Sequence, residues 1–206
     1  MILTYDTETT GFMTKSIPLS DPRQPRIVQL GAILDKEDGT EAMRLDVVIA
    51  HDPTKLDPKI VKSWRENAQP IHGISPEDSM KYGVNETTAI EMFLDFIDAA
   101  SVIVGQNIKG FDNDLVKGTV RRVIQNEAFD CFAGKNIFDT MLVGQAMCRI
   151  PFKGPGGGYK KPNLTELHTR LFGEAFEGAH QAISDVIAAR RCFYEMQRLT
   201  ATKPAA

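Results

Sequence analysis

Two carboxylates lie one residue apart near the start of the chain. Asp6 and Glu8 belong to the stretch YDTETTG, which follows the apolar residues Met1 to Leu3 almost directly. Side chains alternate between the two faces of a β-strand, so residues i and i+2 point to the same side. Like charges at that spacing repel and raise each other's pKa, unless a cation lies between them or water screens them. The spacing therefore predicts a solvated or cation-binding pair at the end of the first strand.

Two further acids occupy positions where predicted elements begin or end. Asp112 closely follows the apolar stretch SVIVGQN, and Asp185 stands at the start of the last helical pattern. Because element ends converge at one edge of an α/β sheet, four carboxylates could meet over that edge. Taken singly, each aspartate also has an ordinary interpretation as a helix cap or a helix-dipole partner.

A histidine precedes the last of these acids by five residues: His180 and Asp185 both belong to the stretch HQAISD. If both residues were helical, their side chains would point about 140° apart, because each residue turns a helix by about 100°. A loop conformation at His180 would let both side chains reach one centre. Imidazole is the side chain best suited to take up a proton at neutral pH.

The elements that must position these groups begin with three strands. Branched apolar residues predict a first strand over residues 2–6 and, later in the chain, a β-hairpin formed by residues 26–34 and 42–49. A proline-rich surface loop connects the first strand to the hairpin. Capping residues then predict three helix starts, at Asp57, Ser75 and Asn85.

The rest of the chain alternates strands and helices. Residues 101–107 predict a short buried strand, and the helix after it places Asp112 near its start. Asn163 with Glu166 forms the pattern of a capping box, and the helix that it opens should end at Gly173. The final amphipathic helix has Asp185 near its start, and no internal repeat or domain boundary is visible.

Composition limits the class of protein. The 206 residues, 42% of them hydrophobic, fit one domain, which we assign to residues 1–199 with a flexible tail at 200–206. The net charge of −3 provides no uniform basic field, so a polyanion must be bound locally. Three cysteines without CxxC spacing favour reduced thiols. With no signal peptide or long apolar run, we expect a soluble cytoplasmic protein without membrane contact.

Three separated motifs resemble those of a known family, the DEDDh or DnaQ-like 3′→5′ exonucleases, which include relatives of polymerase proofreading subunits and oligoribonuclease-type enzymes. DTETTG matches the family's Asp-x-Glu, NIKGFD resembles its Asn-x-x-Phe-Asp, and HQAISD resembles its His-x-Ala-x-x-Asp. The stretches HGIS, FDTM and NLTELHTRLFG are similar as well. The likeness therefore spans nearly the whole chain, with the motifs in the family's order.

The resemblance implies an α/β fold of the ribonuclease-H-like type, with a mixed central sheet whose first three strands are antiparallel and which helices flank. It implies that Asp6, Glu8, Asp112 and Asp185 hold two divalent cations, Mg²⁺ or Mn²⁺, and that His180 is the general base. Both cations prefer hard oxygen ligands. Two such cations side by side stabilise the attacking and the leaving oxygen of an in-line phosphoryl displacement.

Substrate contacts are expected next to the first motif. Thr7, Thr9, Thr10 and Gly11 would form a turn whose backbone donors hold the terminal nucleotide, and Phe12 would stack on a base. The alternative is an ordinary polar turn with a core phenylalanine. The resemblance adds Asn107 to the substrate-binding set.

The function that we expect is metal-dependent 3′→5′ release of nucleoside monophosphates from single-stranded or frayed DNA. The alternatives are an RNA-trimming exonuclease with the same site, and an inactive nucleic-acid-binding or polymerase-associated adaptor. The resemblance also suggests a polymerase or replication partner, and the oligomeric state stays open. Gln106 stands where many relatives have His, and Phe12 where Leu is frequent, so substrate preference is in question.

Three further features of the sequence do not have a settled role: the lysines around a glycine-rich loop, Asp139 and His72. Lys153, Lys160 and Lys161 flank a glycine-rich loop and could follow a phosphate backbone or simply be solvated. Asp139 is expected to be a helix cap rather than part of the site. The role of His72 is open.

Overall fold

Residues 1–201 of the chain, which the computed structural model describes, are built on one five-stranded mixed sheet. The sheet has the order β3-β2-β1-β4-β5. The first three strands pair antiparallel, whereas β4 and β5 run parallel to β1, which confirms the expected topology. The strands are β1 (Ile2–Thr9), β2 (Ile27–Asp35), β3 (Glu41–Val48), β4 (Val102–Gly105) and β5 (Asn136–Asp139).

Strand β1 is longer than the sequence pattern predicts. We expected it to end at Asp6, but its pairing with β2 continues: Glu8 faces Gln29, and Thr9 faces Ile27 after a bulge. The prediction that Thr7 and Thr9 follow the strand as a turn was therefore wrong. Both threonines lie within the sheet, because β1 stays paired with β2 as far as Ile27.

Helices surround the sheet, and most begin at the predicted caps. Asp57, Ser75 and Asn85 each accept a hydrogen bond from a main-chain N–H of the helix that follows. Asn163 and Glu166 form the predicted capping box. The helices are α1 (Pro58–Ser63), continued by one π-helical turn (Trp64–Ala68) into α2 (Gln69–His72), then α3 (Pro76–Tyr82), α4 (Glu86–Ala99), α5 (Asp112–Ile124), α6 (Thr140–Cys148), α7 (Leu164–Phe172) and α8 (Ala182–Ala201).

Helix α8 extends further than expected. It includes Thr200 and Ala201, where we placed the start of the flexible tail, and the Thr200 hydroxyl donates to the carbonyl of Met196. The remainder of the predicted tail, positions 202–206, lies outside the described residues. Among the described residues, no helix has the length and apolar character needed to cross a membrane.

The two faces of the sheet have different partners. On one face, Leu3, Tyr5 and Leu30 join a large apolar core with residues of α4 and α5, such as Phe93 and Leu115. Helix α8 packs against β1, β2 and β4. The three cysteines are unpaired, as predicted.

One glycine allows α8 to approach the sheet closely. Gly31 pairs with Asp6, so the two residues share a sheet face. A Cβ atom on Gly31 would lie only 2.7 Å from the main-chain carbonyl carbon of Ala182, the first residue of α8. The helix that carries Asp185 therefore begins in contact with β2, beside the carboxylate of Asp6.

The proline-rich loop is more ordered than its composition suggests, because it is held together by internal hydrogen bonds. Gln24 is almost fully buried, and its side-chain amide donates to the carbonyls of Thr14 (2.8 Å) and Pro18 (3.1 Å). The main-chain N–H of Thr14 donates back to the side-chain oxygen Oε1 of Gln24 at 2.9 Å. The loop is thus folded around one buried side chain, which gives it a defined shape.

Candidate active site

The four acidic side chains predicted from the sequence approach one another at the carboxyl end of β1. Asp6 and Glu8 lie on the same face of β1. Asp6 is paired with Gly31 of β2, and the start of α8 packs against this face of the sheet. A carboxylate oxygen of Glu8, one of Asp185 and a ring nitrogen of His180 all lie within 4.8 Å of one another. Glu8 is only 9% exposed, whereas His180 is open to solvent.

Asp112 is the first residue of α5. Its side chain is 5% exposed, and the hydroxyl of Thr7 donates to its Oδ1 at 2.6 Å. Thr7 therefore orients a carboxylate from its position within β1, which is a different role from the predicted contact with nucleotide.

The carboxylates perturb one another's protonation. Burial, together with the charges of Asp112, Asp185 and Glu8, raises the pKa of Asp6 well above its ordinary value. Burial, followed by the charges of Asp185 and Asp112, raises the pKa of Glu8 to about 7. Burial raises the pKa of Asp112 to about 7, although the hydrogen bond from Thr7 opposes this effect. The cluster thus carries more negative charge than its surroundings compensate at neutral pH.

His180 adopts the loop conformation that a shared centre requires. It precedes α8, and its φ of +69° lies in the left-handed region, which is uncommon for a residue with a side chain. Its main-chain N–H donates to Oδ2 of Asp185 at 3.1 Å. The backbone at His180 is therefore fixed to the same carboxylate that its ring approaches.

These donors suit a hard divalent cation. Oδ1 of Asp185 is buried and has no hydrogen-bond partner among the described residues, although burial without a partner is costly for a carboxylate. Burial also raises the pKa of Asp185. Oxygen ligands from several carboxylates, with repulsion that a cation would relieve, are the donor set that Mg²⁺ and Mn²⁺ prefer.

The backbone donors after β1 do not have the predicted role. The main-chain N–H of Thr10 donates to the Arg26 carbonyl at 2.9 Å, and that of Gly11 donates to the Thr9 hydroxyl at 3.2 Å. The Thr10 hydroxyl in turn accepts from the Arg26 N–H at 2.9 Å. These groups already have partners within the chain, so they stabilise the turn instead of being free to hold a nucleotide.

Phe12 does not belong to the core. Its side chain is 85% exposed, and its ring meets that of Phe111 edge to face, with centroids 6.3 Å apart. Both rings line a cavity of about 170 Å³ that also reaches Glu8 and Ile71. Phe12 is therefore available for stacking, and the cavity connects it to the carboxylate cluster.

Four residues that line this cavity were not predicted from the sequence: Asn67, Ala68, Ile71 and Phe111. Phe111 lies within the NIKGFD motif, and Ile71 directly precedes HGIS, so their places beside recognisable motifs were the signals available.

His72, whose role the sequence left open, supports the end of β1. The main-chain N–H of Ile74 donates to Nδ1 of His72 at 3.1 Å, so that nitrogen is unprotonated. Nε2 then carries the proton and donates to the Thr9 carbonyl at 3.2 Å. Burial lowers the pKa of His72, which favours this neutral ring.

Asp139 is the helix cap that we predicted, with a second role. Its Oδ1 accepts the N–H of Met141 in α6 and also that of Asn107, at 3.0 and 3.1 Å. Asn107 has a φ of +59°, and its exposed side-chain amide has no hydrogen-bond partner in the described part of the chain. The structure thus fixes the backbone of Asn107 and leaves its amide free.

The lysines around the glycine-rich loop differ in environment. Lys160 forms an ion pair with Glu166 at 2.6 Å, whereas Lys153 and Lys161 are exposed. Gln106, at the position where many relatives have His, donates to the carbonyl of Pro162 at 2.9 Å. The end of this loop is therefore attached to the turn that carries Asn107.

The sheet order and the acidic cluster at the end of β1 define a ribonuclease-H-like exonuclease fold. Residues 3–193 match the model of the exonuclease family RNase_T. The chain therefore belongs to this exonuclease family, which confirms the resemblance drawn from the motifs. No curated protein sequence matches the chain significantly.

Solved structures of E. coli exonuclease I share the fold. The complex with a dT13 oligonucleotide has a TM-score of 0.70 and 20% identity, over 98% of this chain and 41% of that chain. The dA16 complex gives 0.68 and 19%, over 96% and 40%. A zinc-bound form of the complex with single-stranded DNA gives 0.68 and 18%, over 98% and 41%. This chain thus spans less than half the length of these neighbours.

Proposed function

We propose that this chain is a metal-dependent 3′→5′ exonuclease that releases nucleoside monophosphates from single-stranded or frayed DNA. The observation that carries the proposal is the convergence of Asp6, Glu8, Asp112 and Asp185 with His180 at one end of β1. Family membership supports the reaction class, and the oligonucleotides bound to exonuclease I support the substrate class.

The four carboxylates would hold two divalent cations, Mg²⁺ or Mn²⁺. When bound, the cations supply charge neutralisation at the phosphodiester and make a water molecule more acidic. The raised pKa values of Glu8 and Asp112 support this assignment, because a cation between the carboxylates would favour their ionised forms.

His180 is proposed as the general base. Its exposed ring would accept a proton from the attacking water while the water oxygen forms a bond to phosphorus. The phosphorus–O3′ bond then breaks and O3′ takes up a proton from solvent water, leaving a nucleoside 5′-monophosphate and a strand that ends in a 3′-hydroxyl. Glu8 and Asp185, within 4.8 Å of the ring nitrogen, would stabilise the imidazolium that forms.

The cavity beside Glu8 is proposed to receive the terminal base. Phe12 and Phe111 offer aromatic faces and Ile71 an apolar side chain, which suits stacking without sequence preference. Asn107 is proposed as a further contact through its free amide. Thr7, Thr9, Thr10 and Gly11 then contribute by shaping the wall of the site, since their hydrogen-bonding groups already have partners within the chain.

The test uses DNA and RNA strands of one sequence, labelled at the 5′ end and incubated with Mg²⁺, Mn²⁺ or chelator. The expected result is a ladder of labelled DNA that shortens from the 3′ end only when metal is present. Equal cleavage of RNA would favour the RNA-trimming alternative. Binding without cleavage would favour the adaptor, and full activity in chelator would contradict the metal mechanism. A polymerase or replication partner and a cytoplasmic location stay predictions.

A further inference from the structure

The segment that carries His180 has little packing of its own. It comprises residues 174–181, between Gly173, the C-cap of α7, and Ala182, the first residue of α8, and we call it the histidine segment. Of these residues, all within the described part of the chain, only Phe176 is not exposed. Contacts with the neighbouring helices must therefore fix where the His180 ring lies.

At its first residue, the histidine segment is attached to the buried ring of His168 in α7. His168 is only 2% exposed, and its Nδ1 lies 2.8 Å from the main-chain oxygen of Glu174. The ring also packs against Phe176, with ring centroids 5.6 Å apart. His168 thus contacts both the backbone of the segment and its one side chain that is not exposed.

Arg191 of α8 determines which nitrogen of His168 carries the proton. Its Nη1 lies 3.2 Å from Nε2 of His168, and a guanidinium has only donors, so Nε2 accepts. The neutral ring then carries its proton on Nδ1, which donates to the Glu174 carbonyl. The same Nη1 donates to Oε1 of Glu174 at 3.2 Å, and the guanidinium carbon lies 3.9 Å from the centre of the Phe172 ring. Arg191 therefore joins α8 to α7 and to the start of the histidine segment.

The other end of the segment is attached through Asp185, whose Oδ2 accepts the main-chain N–H of His180. One attachment thus lies at Glu174 and the other at His180, and both depend on side chains of the flanking helices.

We propose that His168 and Arg191 are positioning residues for His180, the proposed general base. When the hydrogen bond to Glu174 is lost, the segment keeps its attachment at Asp185 but samples more conformations, so the His180 ring lies beside the carboxylates less often. The inference rests on the proposed function. It adds two residues that do not belong to the acidic cluster and that act on the reaction through the histidine segment.

The test uses two variants and a matched control. His168→Phe keeps a buried ring but removes both ring nitrogens, and Arg191→Met removes the guanidinium from a half-exposed position. Arg198→Met is the control, because Arg198 is another exposed arginine of α8, and its ion pair with Glu195 at 2.7 Å does not involve the histidine segment. Thermal melts establish that each variant is folded.

We expect His168→Phe and Arg191→Met each to lower kcat for oligothymidylate by about tenfold, with KM within about twofold of wild type, because the base is displaced and the strand is not. In the His180→Gln background the same two substitutions should not lower kcat further, since no base is left to position. Arg198→Met should leave kcat unchanged in both backgrounds.

A second readout does not require catalysis. Hydrogen–deuterium exchange of a peptide that contains residues 174–181 should be at least about threefold faster in metal-free His168→Phe and Arg191→Met than in wild type or Arg198→Met. Peptides from β2 should exchange at the wild-type rate, whereas a substitution that only destabilised the fold would speed their exchange as well.

The proposal is overturned if His168→Phe and Arg191→Met match Arg198→Met in kcat or in exchange of the histidine segment. It is also overturned if they lower kcat by the same factor in the His180→Gln background as in wild type. If the wild-type chain shows no metal-dependent cleavage, the proposed function fails, and the exchange rates alone decide whether His168 and Arg191 hold the segment.

Discussion

The main-chain N–H of His180 donates to Oδ2 of Asp185 at 3.1 Å, although the two residues are five positions apart and only Asp185 is helical. This hydrogen bond holds His180 in a left-handed conformation at the entrance to α8. The candidate base and one candidate metal ligand thus form a single local unit. Its position depends on how α8 meets the sheet.

Replacement of His180 tests its proposed role directly. His180→Gln should lower kcat by about 10²–10⁴-fold, the usual effect of losing a general base, while binding of the oligonucleotide changes little. Gln181→Ala, at the exposed neighbouring position, serves as the control for disturbance of the loop. A rate within a few-fold of wild type for His180→Gln would mean that another group accepts the proton.

Replacement of Asp6 should separate catalysis from folding. Asp6→Asn should reduce metal-dependent activity by at least about 10²-fold, because one carboxylate oxygen ligand is lost. The melting temperature of the metal-free protein should stay equal or rise, since burial and neighbouring charges disfavour the ionised Asp6. Nuclease assays and melts in chelator check both points. A variant that is unfolded at room temperature would point to a structural role for Asp6.

The raised pKa of Glu8 predicts how the metal-free protein responds to pH. Its value of about 7, against an ordinary 4.5, means that the native state binds more protons than the unfolded state between these limits. Glu8 therefore costs stability as pH rises from 4.5 to 7. Glu8→Gln should be more stable than wild type at pH 7 by about 1 kcal/mol or more, with a smaller difference at pH 4.5. Denaturant unfolding in chelator measures the difference, and parallel pH profiles would contradict the prediction.

Gly31 is expected to control the position of α8. Gly31→Ala places a methyl group 2.7 Å from the main chain of Ala182, so helix and sheet must separate. We expect a loss of about 1–3 kcal/mol in the free energy of unfolding, together with weaker Mn²⁺ binding. Gly134→Ala is the matched control: it has a φ of +74° but open space around the new atom. If both variants bind Mn²⁺ like wild type, the close approach at Gly31 does not position Asp185.

Local patterns predicted most of the fold. Alternation of apolar residues indicated the strands, and side chains such as Asp57 and Asn163 indicated helix starts, because caps act over a few neighbouring residues. The convergence of Asp6 with Asp112 was predictable from the motifs and from the geometry of α/β sheets. These features depend on short stretches of sequence or on a shared sheet edge.

Contacts between distant segments were not predictable in the same way. The extension of β1 to Thr9 depends on its pairing with Ile27, and the shape of the proline-rich loop depends on the burial of Gln24. The prediction of a free backbone donor at Thr10 was wrong, because the Thr10 N–H donates to the carbonyl of Arg26, the residue that directly precedes β2. Pairings of this kind are decided by tertiary packing, which no local pattern encodes.

The most direct test of the central claim is a crystal structure of the protein grown with Mn²⁺, examined by anomalous scattering. We expect two anomalous peaks, each in contact with carboxylate oxygens from the set Asp6, Glu8, Asp112 and Asp185, with the His180 ring facing the space beside them. Peaks that lie elsewhere, or carboxylates that bind no Mn²⁺ at concentrations that support activity, would contradict it.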